Sequence, residues 1–201
     1  VITGIANLIE SRDGSTGLHV KNTQNYVQIL TKALREKGMY PDILDHNYEL
    51  NTVKASVLHD IGKIKTPDAI LLKPGRLTDE EFEVMKQHTV AGCEIIDRII
   101  GNVEHEEYVD IARKIARYHH ERWDGTGYPD GLSGEEIPLC ARIMALADVF
   151  DALYQDRCYK KAIRPASKVF EIIKENSGSQ FDPNLTEIFL ELQREITDIS
   201  E

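Results

Sequence analysis

Residues 139–153 read Leu-Cys-Ala-Arg-Ile-Met-Ala-Leu-Ala-Asp-Val-Phe-Asp-Ala-Leu, directly after Pro138. The segment is helical in composition and apolar almost all round. Such a helix has to be buried, so other helices must surround it. An ionised carboxylate at Asp148 in that setting costs several kcal/mol unless something compensates it. Asp151, three residues later, lies on nearly the same face. A metal ion, a buried Arg or Lys, or a helix N-terminus could serve Asp148.

Working outward, the flanking sequence repeats the helical period. Tyr26, Val27, Leu30, Ala33 and Leu34 mark a helix over Val20 to Lys37, which Gly38 stops. Leu50, Val53, Val57 and Leu58 mark another over about Glu49 to Leu58, ending near Gly62. Asp68 to Lys73 reads as a short helical turn before Pro74-Gly75. Thr78-Asp79-Glu80-Glu81 has the spacing of a capping box, opening a helix through Met85 to His88. A separate helix is expected over Ala91 to Ile100. Glu106 to His120 is amphipathic, with Val109, Ala112, Ile115 and Ala116 inward. Two more helices follow Pro165 and Pro183, and no alternating strand pattern occurs. The expectation is an all-α, single-domain helical bundle of about seven or more helices over residues 1–201, with C-terminal helices over about 165–199.

The chain has 201 residues, 41% of them hydrophobic and 29% charged, with a net charge of -10. That acidity disfavours polymeric nucleic acid and anionic membrane surfaces as partners. No apolar run reaches the roughly 18 residues of a spanning helix. Cys93, Cys140 and Cys158 are far apart and form no CxxC pair, which argues against a thiolate zinc site. Unpaired cysteines without a secretory signal suggest the cytoplasm. A start at Val1 suggests a piece of a longer protein.

Histidines sit beside acids. His59-Asp60 closes one helix and is followed by Gly62-Lys63; if the helix continues, His59 and Lys63 share a face. His88 ends the capped helix. His119-His120 precedes a loop, residues 124–134, rich in glycine and Asp-Gly turns. Each histidine alone reads as a packed or surface residue; the combination with Asp148 points to a metal. Imidazole and carboxylate without thiolate favour iron, manganese or zinc in a mixed nitrogen and oxygen site. The glycine loop is either a plain surface connection or the rim of that site. Arg157, Lys160, Lys161 and Arg164 are either a solvated basic helix end or a phosphate-capture cluster. Asp151, Glu121 and Asp124 fit partners that orient ligand histidines, or equally cap and surface residues.

The ordered motifs are more specific than any one of them. They are Arg12-Asp13 with Thr16-Gly17-x-His19, then Leu58-His59-Asp60-Ile61-Gly62-Lys63, then Pro67-Asp68-x-Ile70-Leu71 with Lys73-Pro74-Gly75, then Met85-Lys86-x-His88-Thr89. There follow His119-His120-Glu121-x-x-Asp124-Gly125-x-Gly127-Tyr128-Pro129-x-Gly131-Leu132-x-Gly134, Ile137-Pro138, Ala141-Arg142-Ile143, and Ala147-Asp148-x-Phe150-Asp151-Ala152-Leu153 to Arg157. Over about residues 9–165 the chain resembles an HD-GYP domain, a branch of the HD metal-dependent phosphohydrolases.

The resemblance implies hydrolysis of cyclic di-GMP, by a metal-bridging hydroxide, to the linear dinucleotide pGpG; a second cut would give two GMP. It implies two divalent ions, iron or manganese, held by His19, His59, Asp60, His88, His119, His120 and Asp148. Asp60 would bridge them, with His59 and Asp148 on one ion and His88, His119 and His120 on the other. Asp60 and Lys63 are the implied catalytic pair, and Lys63, Tyr128, Arg157 and Lys160 the implied substrate contacts. Tyr128 offers a stacking face to a guanine. A protein partner at Gly127-Tyr128-Pro129 is also implied, and a homodimer stands among the expectations. Ser15 occupies the position where some members carry Glu and hold a third metal, which favours two. Asn22 and Cys158 depart from the Arg and Pro often found at those places. The alternatives are another cyclic dinucleotide or nucleotide as substrate, or a catalytically weak partner-docking module.

Overall fold

A computed structural model describes residues 2–13, 18–102, 105–155 and 161–199. The helices are α1 (Ile2–Glu10), α2 (Leu18–Glu36), α3 (His46–Ala55), α4 (Asp68–Leu71), α5 (Asp79–Ile100), α6 (Glu106–Tyr118), α7 (Leu139–Tyr154), α8 (Ala166–Glu175), α9 (Pro183–Glu191) and α10 (Gln193–Asp198). Short 3-10 turns occupy Ser11–Asp13, Ser56–Leu58, Ile61–Lys65 and Gly134–Glu136. Among the described residues there is no strand, only an isolated bridge between Ser177 and Phe181. The all-α expectation holds.

α7 is the central element. It packs on α2, α6, α8 and α9, while α3 lies against α2 and α6. Ile143, Met144, Leu146 and Phe150 are fully enclosed, and Tyr26, Leu30, Ile115, Phe170 and Phe189 join them in one core. α7 turns one narrow side outward: Asp148 keeps 15% of its side chain exposed, and Asp151 is the fully buried carboxylate.

The Thr78 box forms as the spacing requires, with the Thr78 hydroxyl accepting from Glu81 N–H and the Glu81 carboxylate accepting from Thr78 N–H. The two helices expected over Thr78–His88 and Ala91–Ile100 are one, α5. Gly92, which suggests a break, is there for contact. The turn Ile61–Lys65 lies on α5 so closely that a Cβ on Gly62 would stand 1.8 Å from His88 O and 2.5 Å from Gly92 N. α3 lies three residues earlier than the periodicity suggests and α6 stops two residues short, and beyond their ends His59-Asp60 and His119-His120 reach the site. The helix does not continue through His59 and Lys63. Asp60 leaves helical geometry at φ -103 and ψ 11, and the Ile61–Lys65 turn begins there. α1 and α10 were not expected from the pattern.

Candidate metal centre

Five segments bring the site together. α2 supplies His19, the junction of two 3-10 turns supplies His59 and Asp60, and α5 supplies His88. His119 and His120 follow α6, and α7 supplies Asp148. Asp60, His88, His119 and His120 each place a donor atom within 4.8 Å of the others, and His19, His59 and Asp148 form a second such group. Asp60 stands between the groups. Its Oδ1 is 3.3 Å from His88 Nε2 and 3.6 Å from His119 Nε2, and its Oδ2 is 3.4 Å from His59 Nε2. His19 Nε2 is 3.3 Å from both His59 Nε2 and Asp148 Oδ1.

Local folding sets the ring orientations. The Nδ1 of His59 donates to Ser56 O at 2.9 Å, that of His88 to Met85 O at 2.7 Å, and that of His119 to Ile115 O at 2.9 Å. Those bonds leave each Nε2 a lone pair aimed inward. His19 differs, because its Nδ1 meets the Asp151 carboxylate at 2.7 Å. The other Asp151 oxygen accepts from Asn22 Nδ2 at 3.1 Å and from the Tyr26 hydroxyl at 3.5 Å. Asp151 thus orients a candidate ligand. Glu121 and Asp124 do not. The Glu121 carboxylate accepts from the N–H groups of Asp130, Gly131 and Leu132, and Asp124 accepts from Thr126, so both shape the loop.

Asp60 Oδ1, His88 Nε2 and His119 Nε2 are buried, face one another and make no hydrogen bond. Each such orphan costs about 1–3 kcal/mol. A divalent cation among them would satisfy all three, so the donor set fits a metal. The electrostatics agree. Burial opposes the charges on Asp60 and Asp148, but Lys63 and His59 for one, and His19 and His59 for the other, hold both carboxyls well below the usual range. Burial lowers His88 to about 4 and, with His119 and His88 beside it, pushes His120 far down, so both rings are neutral. His19 goes the other way: burial works against its charge, yet Asp148 and Asp151 raise it to about 10.

Lys63 points into the site with Nζ 2.6 Å from Asp60 Oδ2. The Arg12 guanidinium holds its turn, donating to Lys63 O at 3.4 Å, Ile64 O at 3.2 Å and Asp68 Oδ1 at 2.6 Å. The glycine loop is the rim and no free connection. Tyr128 N–H donates to His120 O at 3.2 Å, and its ring stacks on His120 with centroids 4.9 Å apart. A Cβ on Gly127 would stand 2.4 Å from Arg122 N, which explains the glycine. Arg157, Lys160, Cys158 and Ser15 lie outside the described residues. Arg164, from the same basic run, is used by the fold: it donates to Tyr154 O, and its guanidinium lies over the Tyr154 ring at 3.8 Å.

One neighbour of the centre was missed. Glu10 ends α1 with 3% exposure, 3.9 Å from His19 Nε2, and groups with His19 and Asp60. The apolar period of Ile2, Ile5, Ala6 and Ile9 ahead of it was the available signal.

These features define an all-helical domain of the HD type with a candidate metal centre. The HD-domain family model matches residues 6–185, and the chain belongs to that family, with the ordered motifs of its HD-GYP branch. A cyclic di-GMP phosphodiesterase of Vibrio cholerae is 46% identical over 99% of this chain and 40% of its own length. A 3'3'-cGAMP-specific phosphodiesterase of the same organism is 37% identical over 95% of this chain and 34% of its own. This chain therefore spans well under half of either relative. A solved cyclic GMP-AMP-specific phosphodiesterase of V. cholerae shares the fold at a TM-score of 0.64 and 20% identity, covering 99% of this chain and 52% of that one. Among the described residues, no helix is long and apolar enough to cross a membrane.

Proposed function

We propose that this chain is a metal-dependent phosphodiesterase that hydrolyses cyclic di-GMP to pGpG, a second cut of which would give GMP. The observation that carries the reading is the Asp60 carboxylate set between two histidine groups with its Oδ1 and the facing Nε2 atoms unsatisfied. The 46% identity to a cyclic di-GMP phosphodiesterase supports the substrate. Two divalent ions, iron or manganese, would supply Lewis acidity and a water of lowered pKa there. His19, His59 and Asp148 would hold one, His88, His119 and His120 the other, and Asp60 both.

The remaining work belongs to side chains. Lys63, its turn fixed by Arg12, places an ammonium where charge on the phosphoryl oxygens grows. Arg157 and Lys160 bind the substrate phosphates, and Tyr128 takes a base face. Residues 1–201 act as one domain, and the free thiols of Cys93 and Cys140 support a cytoplasmic setting. The half-buried Gly127-Tyr128-Pro129 segment offers a partner a surface beside the site. Similarity to the 3'3'-cGAMP-specific enzyme supports a second substrate reading.

The test is anaerobic purification with metal analysis, followed by product analysis on cyclic di-GMP and 3'3'-cGAMP from the same sample. Two ions per chain with pGpG formation is the expected result. A fully loaded protein that leaves both dinucleotides intact overturns it.

A further inference from the structure

α1 carries into the site one residue that none of the ordered motifs includes. Its apolar period buries Ala6 and Ile9 against the core, and the next residue, Glu10, ends the helix with 3% exposure. α1 packs on α2, which supplies His19, and on the two 3-10 turns that flank His59 and Asp60. Glu10 Oε1 lies 3.9 Å from His19 Nε2, and Glu10, His19 and Asp60 each place a donor atom within 4.8 Å of the others.

Charge and spacing both single this carboxylate out. Three carboxylates face the His19 ring: Glu10, Asp148 at 3.3 Å and Asp151 at 2.7 Å. One imidazolium balances one of them, and surplus buried carboxylates are costly without a further cation. Asp151 meets Nδ1, whereas Glu10 and Asp148 meet Nε2, the atom that also faces His59. A six-coordinate ion with bonds of about 2.1 Å keeps adjacent donors about 3 Å apart and opposite donors about 4.2 Å apart. The spacings from His19 Nε2 fall in that range: 3.3 Å to His59 Nε2, 3.3 Å to Asp148 Oδ1 and 3.9 Å to Glu10 Oε1. With Glu10, this half of the centre offers the carboxylates of Glu10, Asp60 and Asp148 and two imidazoles. The half around His88 offers Asp60 and three imidazoles. Oxygen-rich donor sets suit manganese, and imidazole-rich sets suit iron or zinc.

We propose that Glu10 is a further ligand of the ion held by His19, His59 and Asp148, and that its carboxylate makes that half of the centre selective for a hard, six-coordinate cation such as manganese. The inference rests on the two-ion reading above and adds a ligand from α1 and a difference between the two halves.

Titration of the metal-free protein with manganese and, separately, with zinc tests it, with bound ion as the readout. Wild-type protein should take up two manganese ions per chain. Glu10→Gln keeps the volume and removes the charge. It should weaken one manganese ion at least about tenfold, as losing a ligand costs no less than losing the partner that orients one, and leave the other as in wild type. Zinc is satisfied by four ligands, so its uptake should weaken by a clearly smaller factor. Asp148→Ala should keep the His88-side ion, and adding Glu10→Gln should not change the affinity of that ion. Should Glu10→Gln not fold, Glu10→Asp, which draws the oxygens back by one methylene, is titrated in its place with the same split between manganese and zinc expected. Unchanged manganese affinity, or equal losses for manganese and zinc, overturns the ligand and leaves Glu10 a structural neighbour of His19, with the two-ion reading intact. Weakening of the ion that remains in Asp148→Ala overturns it as well. A wild-type protein that binds neither manganese nor zinc overturns both.

Discussion

Asp60 gives one carboxylate oxygen to His88 and His119 and the other to His59 and Lys63. Asp60→Ala should therefore empty both halves of the centre together. Its loss in metal affinity should exceed the roughly 10- to 100-fold that removal of an orienting partner costs. Metal analysis of the variant checks this, and retention of both ions would show that Asp60 bridges nothing. Asp151→Asn should fall within that 10- to 100-fold range, because the carboxylate reaches the candidate ligand set through Nδ1 of His19. Titration with manganese measures it. The adjacent acids and histidines were legible because their types and order are unusual. The separate duties of Asp151 and of Glu121 were not, since each depends on which backbone or ring the fold brings to a carboxylate. Glu10 was hidden for the same reason, at the end of a helix whose partners are distant in sequence.

Between elements, the contact of the Ile61–Lys65 turn with α5 decides whether Asp60 and His88 face each other. Gly62→Ala would drive a methyl into His88 O. Overpacking of this kind costs roughly 1–3 kcal/mol, so thermal unfolding should occur several degrees lower, with weaker metal binding. The start of α5 supplies a pH test. Bonds from Lys73 and Thr78 N–H hold the Glu81 carboxyl below its ordinary pKa. Its stabilisation is present above the unfolded value of about 4.3 and fades as pH falls through the lower folded value. Thr78→Ala should cost about 1 kcal/mol at neutral pH, read by denaturant unfolding. Capping chemistry is local, so the Thr78 box could be read directly. The continuity of α5 past His88 could not, because Gly92 is a seat for Ala116 on α6 and for the Ile61–Lys65 turn, both remote in sequence.

Across the whole molecule, one buried ion pair ties the C-terminal helices to the bundle. Arg142 on α7 donates to Asp182 Oδ2 at 2.6 Å, and Asp182 Oδ1 accepts from Asn184 N–H at the start of α9. The turn before α9 accepts from the glycine loop, at Gln180 O from Trp123 N–H and at Ser179 O from Asp124 N–H. Asp182→Ala strands a buried guanidinium and removes a helix cap. It should destabilise the fold by about 3–5 kcal/mol, measured by urea unfolding. The all-α class was plain from the helical period on either side of residues 139–153 and from the lack of any alternating strand pattern. The cross-link through Arg142 was not, since an Arg within a buried helix announces a partner without naming it.

The two histidine groups hold their protons differently, and that separates them in calorimetry. His59, His88 and His119 commit Nδ1 to helix carbonyls, and His88 and His120 are neutral at pH 7. His19, raised to about 10 by Asp148 and Asp151, carries an extra hydrogen ion in the metal-free protein. Ion uptake beside His19 and His59, both raised, must expel hydrogen ion at neutral pH, whereas uptake beside His88 and His120 draws none from either ring. The heat of loading the His19 side should therefore vary with the ionisation enthalpy of the buffer, and mild acid should strip that side first.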